Sequence, residues 1–130
     1  MIIGVGTDIL AIERIARALN RTPKLPTRIL TTVEQAEFAQ AADATRYLAK
    51  RFAAKEAVVK ALGSGIGRGV SWRHIQIAKD EAGRPLVMLT DGAKAWAVQK
   101  GIRQVHLSYS DEQTSIVAFA VAESASEEQA

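Results

Sequence analysis

Ala44-Thr45-Arg46-Tyr47-Leu48-Ala49-Lys50-Arg51-Phe52-Ala53-Ala54-Lys55-Glu56-Ala57-Val58-Val59-Lys60-Ala61-Leu62 reads as the longest helix of this chain, and Gly63-Ser64-Gly65 stops it. Phe52, Glu56 and Lys60 follow one another at intervals of four and so fall along one helical stripe. An acid this close to an apolar seam costs free energy unless something positive meets it.

Working outward, Ile2 to Leu10 reads as a strand, and Asp8 interrupts its apolar run. Ile12 to Asn20 reads as a helix, with Ile12, Ile15, Ala16 and Leu19 at helical spacing. Thr22-Pro23-Lys24-Leu25-Pro26 is expected to be a connector, because two nearby prolines oppose helix continuation. Thr31 and Glu34 have the spacing of a capping box, which predicts another helix from Thr32. Beyond the long helix, Gly65 to Gly69 forms a loop. Ile75-Gln76-Ile77 and Leu86-Val87-Met88-Leu89 read as strands around a turn over 80–85. Asp91 is expected to cap a helix over 92–100, and 105–110 with 114–122 reads as a last hairpin. Helices and hairpins segregate, which predicts an α+β fold with an antiparallel sheet packed with a long central helix.

The chain has 130 residues, so a single domain over 1–122 with a polar acidic tail over 123–130 is expected. It has no cysteine, which excludes disulfides, thiolate zinc sites and cysteine nucleophiles. No apolar stretch has the length of a membrane span, and the N-terminus does not read as a signal peptide, so a cytoplasmic location is the expectation. Glu123, Glu127 and Glu128 lie in the tail. The body therefore sets seventeen basic residues against eleven acidic ones and should attract anions.

Asp8, Glu56 and Lys60 are the parts needed to hold a hard divalent cation and a phosphate chain together. The same residues also allow Asp8 to cap the helix at Ile12 and Glu56 to pair with Lys60 or Lys55. Gly63, Gly65, Gly67 and Gly69 with Arg68 suit either a phosphate cradle or a flexible connector, and they match no P-loop or dinucleotide fingerprint. Arg14, Arg17 and Arg21 share one face of the first helix, whose one acid is Glu13. That face is either solvated or a docking surface for an acidic partner. His106 beside Ser108 and Ser110 lacks the elbow spacing of a serine hydrolase, and Trp72 and Trp96 read as core or edge aromatics. On these residues alone, a Mg2+-dependent nucleotide pyrophosphohydrolase and a non-catalytic basic nucleic-acid-binding module both stay open, although sparse aromatics weaken the second.

Gly4-Val5-Gly6-Thr7-Asp8-Ile9, Ile12-Glu13-Arg14-Ile15, and Arg51 to Ala57 with Lys60-Ala61-Leu62-Gly63 together resemble the holo-acyl-carrier-protein synthases. These are the small class of 4′-phosphopantetheinyl transferases. The likeness continues through Gly65-Ile66-Gly67, Gly83-Arg84-Pro85 and Val105 to Ser110. It implies transfer of the 4′-phosphopantetheine arm of coenzyme A to a serine of an acyl carrier protein, in fatty acid biosynthesis. It implies Mg2+ on Asp8 and Glu56, with Lys60 beside them. A serine hydroxyl needs a base to take its proton, and Glu56, acting directly or through a metal-bound water, is the candidate. Coenzyme A contacts would come from Arg51, Lys60, Gly63, Ser64 and Gly65, and from Arg84, Pro85, His106, Ser108 and Ser110 of a neighbouring subunit. A homotrimer with interfacial sites follows from the same resemblance, and Arg14, Arg17 and Arg21 would dock the acidic carrier. Asp111 stands where the family often has histidine.

Overall fold

The computed structural model describes residues 1–125. Helix α4, Ala44–Leu62, is the central element. Asp43 accepts the Arg46 N–H at its start, and Gly63 ends it in the left-handed conformation at φ 78°. One face of a three-stranded antiparallel sheet packs on it. The strand order is β1-β5-β4, with β1 Ile2–Ala11, β4 Ile102–Asp111 and β5 Ser115–Ser124. A separate antiparallel pair is formed by β2 Ile75–Lys79 and β3 Pro85–Leu89. Helices α1 Ile12–Arg21, α2 Leu25–Ile29, α3 Thr32–Gln40 and α5 Asp91–Gln99 complete the domain. Among the described residues, no helix is long and apolar enough to cross a membrane. The α+β expectation therefore holds, with two sheets rather than one.

Gly4 and Gly6 set how closely β1 meets α4. A Cβ at Gly4 would lie 2.2 Å from the Ala61 carbonyl oxygen, and one at Gly6 would lie 2.1 Å from that of Ala57. Two strand residues advance about 6.6 Å and four helical residues about 6 Å, so every second residue of β1 meets successive turns of α4. Asp8 is the next residue on this inward face. Glycine two and four positions before it lets the strand sink onto the helix and carries the carboxylate to the Glu56–Lys60 stripe.

Alternation divides the sheet. Leu10, Val105, Leu107, Ile116, Ala118, Ala120 and Ala122 are buried against the core. The opposite face carries Ile3, Val5, Ile9, Val117 and Phe119, all exposed. Cross-strand partners extend the outer rows: Val5 pairs with Val121 and this with His106, while Thr7 pairs with Phe119 and this with Ser108.

Three boundaries differ from expectation. Leu25–Ile29 is helical despite Pro26, because proline in the first turn forfeits no intrahelical bond and its φ is already helical. Asp91 does not cap α5; it is the first helical residue at φ 49°, and Thr90 precedes it without a side-chain cap bond. Glu123 pairs with both β1 and β4, and Ser124 with β4, so β5 runs into the stretch expected as tail. Glu127 and Glu128 lie outside the described residues. The Thr31–Glu34 capping box is present in both directions.

Candidate active site

Strand β1 and helix α4 bring Asp8, Glu56 and Lys60 together. The Lys60 ammonium donates to the Thr7 carbonyl at 2.8 Å and to Asp8 Oδ1 at 3.2 Å. Asp8 is largely covered, whereas Lys60 is about half exposed. Neither alternative reading of the carboxylates survives: Ala11 is the N-cap of α1 with no side-chain bond, and the lysine partners go to Asp8 and Glu34 instead of Glu56.

Glu56 is half-buried. Burial is the main force pushing its carboxyl above the usual glutamate range, and the neighbouring Asp8 charge adds to it. A hydrogen bond from the Trp72 indole N–H to Oε2, at 3.3 Å, and the Lys60 charge work in the other direction. Among the described residues no third histidine or carboxylate joins this pair into a larger metal-ligating cluster. Two carboxylates and an ammonium suit a hard cation that draws its remaining ligands from water and phosphate oxygens.

The sequence reads Trp72 as a core or edge aromatic and does not show its contact with Glu56. Nor does it show what lies behind it. Lys55 is fully buried and donates to Glu34 Oε1 at 2.5 Å, to the Ile29 carbonyl at 2.7 Å and to the Trp72 carbonyl at 3.2 Å. Glu34, equally buried, accepts the backbone N–H groups of Thr31 and Ile77. The one available signal was a lysine set among Ala53, Ala54 and Ala57, a place where an ammonium needs a carboxylate.

The remaining expected contacts fall elsewhere. Arg51 is buried over the Tyr47 ring at 4.8 Å, with Glu34 at 3.9 Å and Glu37 at 3.7 Å, so within one chain it braces α4 against α3. Gly63, Ser64 and Gly65 directly follow the Lys60 turn. The N–H groups of Ser64 and Gly65 return to the Val59 carbonyl, and Ser64 Oγ donates to the Gly65 carbonyl. Arg84, Pro85 and His106 line a separate groove of about 240 Å3 between the β2–β3 pair and β4. His106 Nε2 meets Glu123 at 3.0 Å, and Arg84 lies 3.9 Å from Asp80. His106, Ser108 and Ser110 face outward, so within one chain the sheet separates them from Asp8 and Glu56. Asp111 bonds Arg46 and lies 3.5 Å from Lys50, which ties the β4–β5 turn to the start of α4.

Arg14, Arg17 and Arg21 stand on the rim of another groove, about 440 Å3 in volume, floored by Leu10, Ile15, Leu25, Phe52 and Trp72. Arg17 pairs with Glu13 at 2.8 Å. Among the described residues, Arg14 and Arg21 have no acidic partner.

The family model of the 4′-phosphopantetheinyl transferase superfamily matches residues 4–120. A holo-[acyl-carrier-protein] synthase of Shewanella denitrificans is 52% identical over 95% of this chain and 98% of its own. The crystal structure of the Neisseria meningitidis holo-[acyl-carrier-protein] synthase superposes with a TM-score of 0.90 at 46% identity, covering 95% of this chain and 99% of that one. The Bacillus anthracis enzyme, solved in complex with CoA (3′,5′-ADP), gives 0.81 at 36% identity, covering 96% and 99%. Sequence and fold agree along almost the whole length, and the chain belongs to the 4′-phosphopantetheinyl transferase superfamily.

Proposed function

We propose that the chain is a holo-acyl-carrier-protein synthase, which moves the 4′-phosphopantetheine arm of coenzyme A onto a serine of an apo acyl carrier protein. The convergence of Asp8, Glu56 and Lys60 carries this reading, because a strand and a helix well separated in sequence bring them together beside a basic groove. Fatty acid biosynthesis is the process it serves, and the cytoplasm its location.

Asp8 and Glu56 would hold a divalent cation, for which we propose Mg2+. When bound, such an ion neutralises pyrophosphate charge and polarises the phosphorus under attack. The chain's own residues do the rest. Glu56 takes the proton of the carrier serine; burial strengthens it as a base above an ordinary glutamate. The serine oxygen then bonds to the phosphorus next to pantetheine. The bond from that phosphorus to the bridging oxygen breaks, and adenosine 3′,5′-bisphosphate leaves. Lys60 meets the charge that grows on the departing phosphate.

The adenosine half of coenzyme A would lie against Arg84, Pro85, His106, Ser108 and Ser110 of a neighbouring subunit, opposite Gly63, Ser64 and Gly65. Two features support interfacial sites. One chain carries the two groups of residues on opposite faces of its sheet, and the outward face is apolar over Ile3, Val5, Ile9, Val117 and Phe119. A patch of this kind marks an interface, and we propose that it closes a homotrimer. Arg51, buried within one chain, would support the coenzyme site through α4 rather than touch the ligand.

The test is incubation with coenzyme A, Mg2+ and apo carrier protein, read by mass spectrometry of the carrier. The expected result is a gain of one phosphopantetheine, lost on chelation and lost when the carrier serine is alanine. Light scattering of the same sample is expected to give three chain masses. Cleavage of coenzyme A with the carrier unchanged would make the chain a pyrophosphohydrolase and overturn the reading.

A further inference from the structure

Trp72 occupies a junction that neither half of the proposed site accounts for. Its indole N–H donates to Glu56 Oε2 at 3.3 Å. Its ring packs on Phe52 with centroids 5.9 Å apart, and both rings line the arginine groove. Its backbone carbonyl accepts from Lys55 at 3.2 Å, and Lys55 is fixed by Glu34 and the Ile29 carbonyl. Consecutive residues of α4 thus hold the two ends of Trp72, Lys55 its backbone and Glu56 its side chain. A carboxylate with one oxygen engaged loses rotamer freedom. A base must sit within hydrogen-bond reach of the proton it takes, so this freedom bears directly on rate.

We propose that Trp72 is a positioning residue: it fixes the orientation of the Glu56 carboxylate and forms the wall between that carboxylate and the groove where the carrier docks. The buried Lys55–Glu34 pair is its anchor. This rests on the transfer reading for its kinetic consequence, while the hydrogen bond itself can be tested without any substrate.

Trp72→Phe keeps a ring and removes the donor. The expected result is a fall in kcat of about tenfold, the rate equivalent of one hydrogen bond of about 1.4 kcal/mol, with KM for coenzyme A and for carrier each within about twofold. A structural role would also lower the residual rate of a Glu56→Ala enzyme when Trp72→Phe is added. A positioning role acting through Glu56 leaves that residual rate unchanged. The second measurement uses the 15N-labelled chain alone. Glu56→Ala should move the Trp72 indole resonance and leave that of Trp96, whose N–H donates to the Leu62 carbonyl at 2.8 Å. An unmoved Trp72 resonance, an unchanged kcat, or an equal Trp72→Phe effect with and without Glu56 overturns the proposal. A wild-type chain with no transfer overturns the functional reading instead, and the resonance then decides the positioning one.

Discussion

Two of the lysines that helix α4 presents to carboxylates, Lys55 and Lys60, form pairs of opposite character. Lys55 and Glu34 are both without solvent exposure, and all three ammonium protons go to oxygens, from Glu34, Ile29 and Trp72. Burial pulls the Lys55 ammonium below the ordinary lysine range, and Glu34 opposes that pull. Lys60 is half exposed over a largely covered Asp8, their contact is longer, 3.2 Å against 2.5 Å, and a second acid stands beside them. The first pair has no capacity left and can only hold structure. The second keeps an uncompensated carboxylate and an ammonium proton to spare, which is what binding a cation and a phosphate requires. Saturation of hydrogen bonds, more than residue type, separates the structural pair from the one proposed to be functional.

The largest expected effect breaks the closed pair. Lys55→Met leaves Glu34 buried without its cation, which costs about 3–5 kcal/mol of folding free energy. Urea unfolding monitored by circular dichroism reads this as a lower midpoint at an unchanged slope. Adding Glu34→Leu to Lys55→Met should restore part of the loss: the buried carboxylate is no longer stranded, but the N–H groups of Thr31 and Ile77 lose their acceptor. No recovery in the double variant would mean that the pair contributes more than charge compensation.

The open pair should respond in the opposite sense. Glu56→Gln is expected to lower kcat roughly 10²–10³-fold, within the range of a lost general base, with the fold intact. It should also stabilise the chain at neutral pH. The Glu56 carboxyl lies above its ordinary value in the folded state, so the native chain holds this proton more tightly than the unfolded one. That contribution favours folding in acid and is lost as pH rises through the raised pKa. The melting temperature of Glu56→Gln should therefore exceed the parent's above that pKa, and the gap should close on acidification. A variant that melts lower than the parent at neutral pH would place Glu56 with the structural charges.

How much of this was legible depended on the range of each interaction. The Thr31–Glu34 box and the α4–Gly63 stop are local, and the sequence states them directly. Pro26 misled because proline breaks a helix interior yet fits its first turn, and spacing alone does not say which position it takes. Alternation over 105–110 showed a strand, but which of its faces meets α4 depends on register with β5, and that register puts His106 across the sheet from Asp8. Gly4 and Gly6 read as strand residues. Their purpose appears only when Ala57 and Ala61 close on them from the other end of the motif. The residues of the site were visible as a resemblance, which also implied interfacial sites; the placing of His106, Ser108 and Ser110 on the sheet face away from Asp8 was not visible in the sequence.

The smallest expected effect lies on the rim, where charges are solvated and act mainly through encounter. Arg14→Glu reverses a guanidinium that has no acidic partner among the described residues, at the edge of a groove whose inner wall is Phe52 and Trp72. The KM for carrier protein should rise about tenfold, while kcat and the KM for coenzyme A stay within about twofold, because steering governs association more than chemistry. Salt separates this from local damage. The Debye length falls from about 10 Å at 0.1 M to about 3 Å at 1 M, so parent and variant should converge as ionic strength rises. Arg17→Glu should do less, since Glu13 already neutralises Arg17 at 2.8 Å. Equal losses for both substrates, or a difference that persists at high salt, would mean that the arginine face supports the Asp8–Glu56 site instead of recruiting a partner, and the contrast between a closed interior and an open, charged approach would fail at its outer edge.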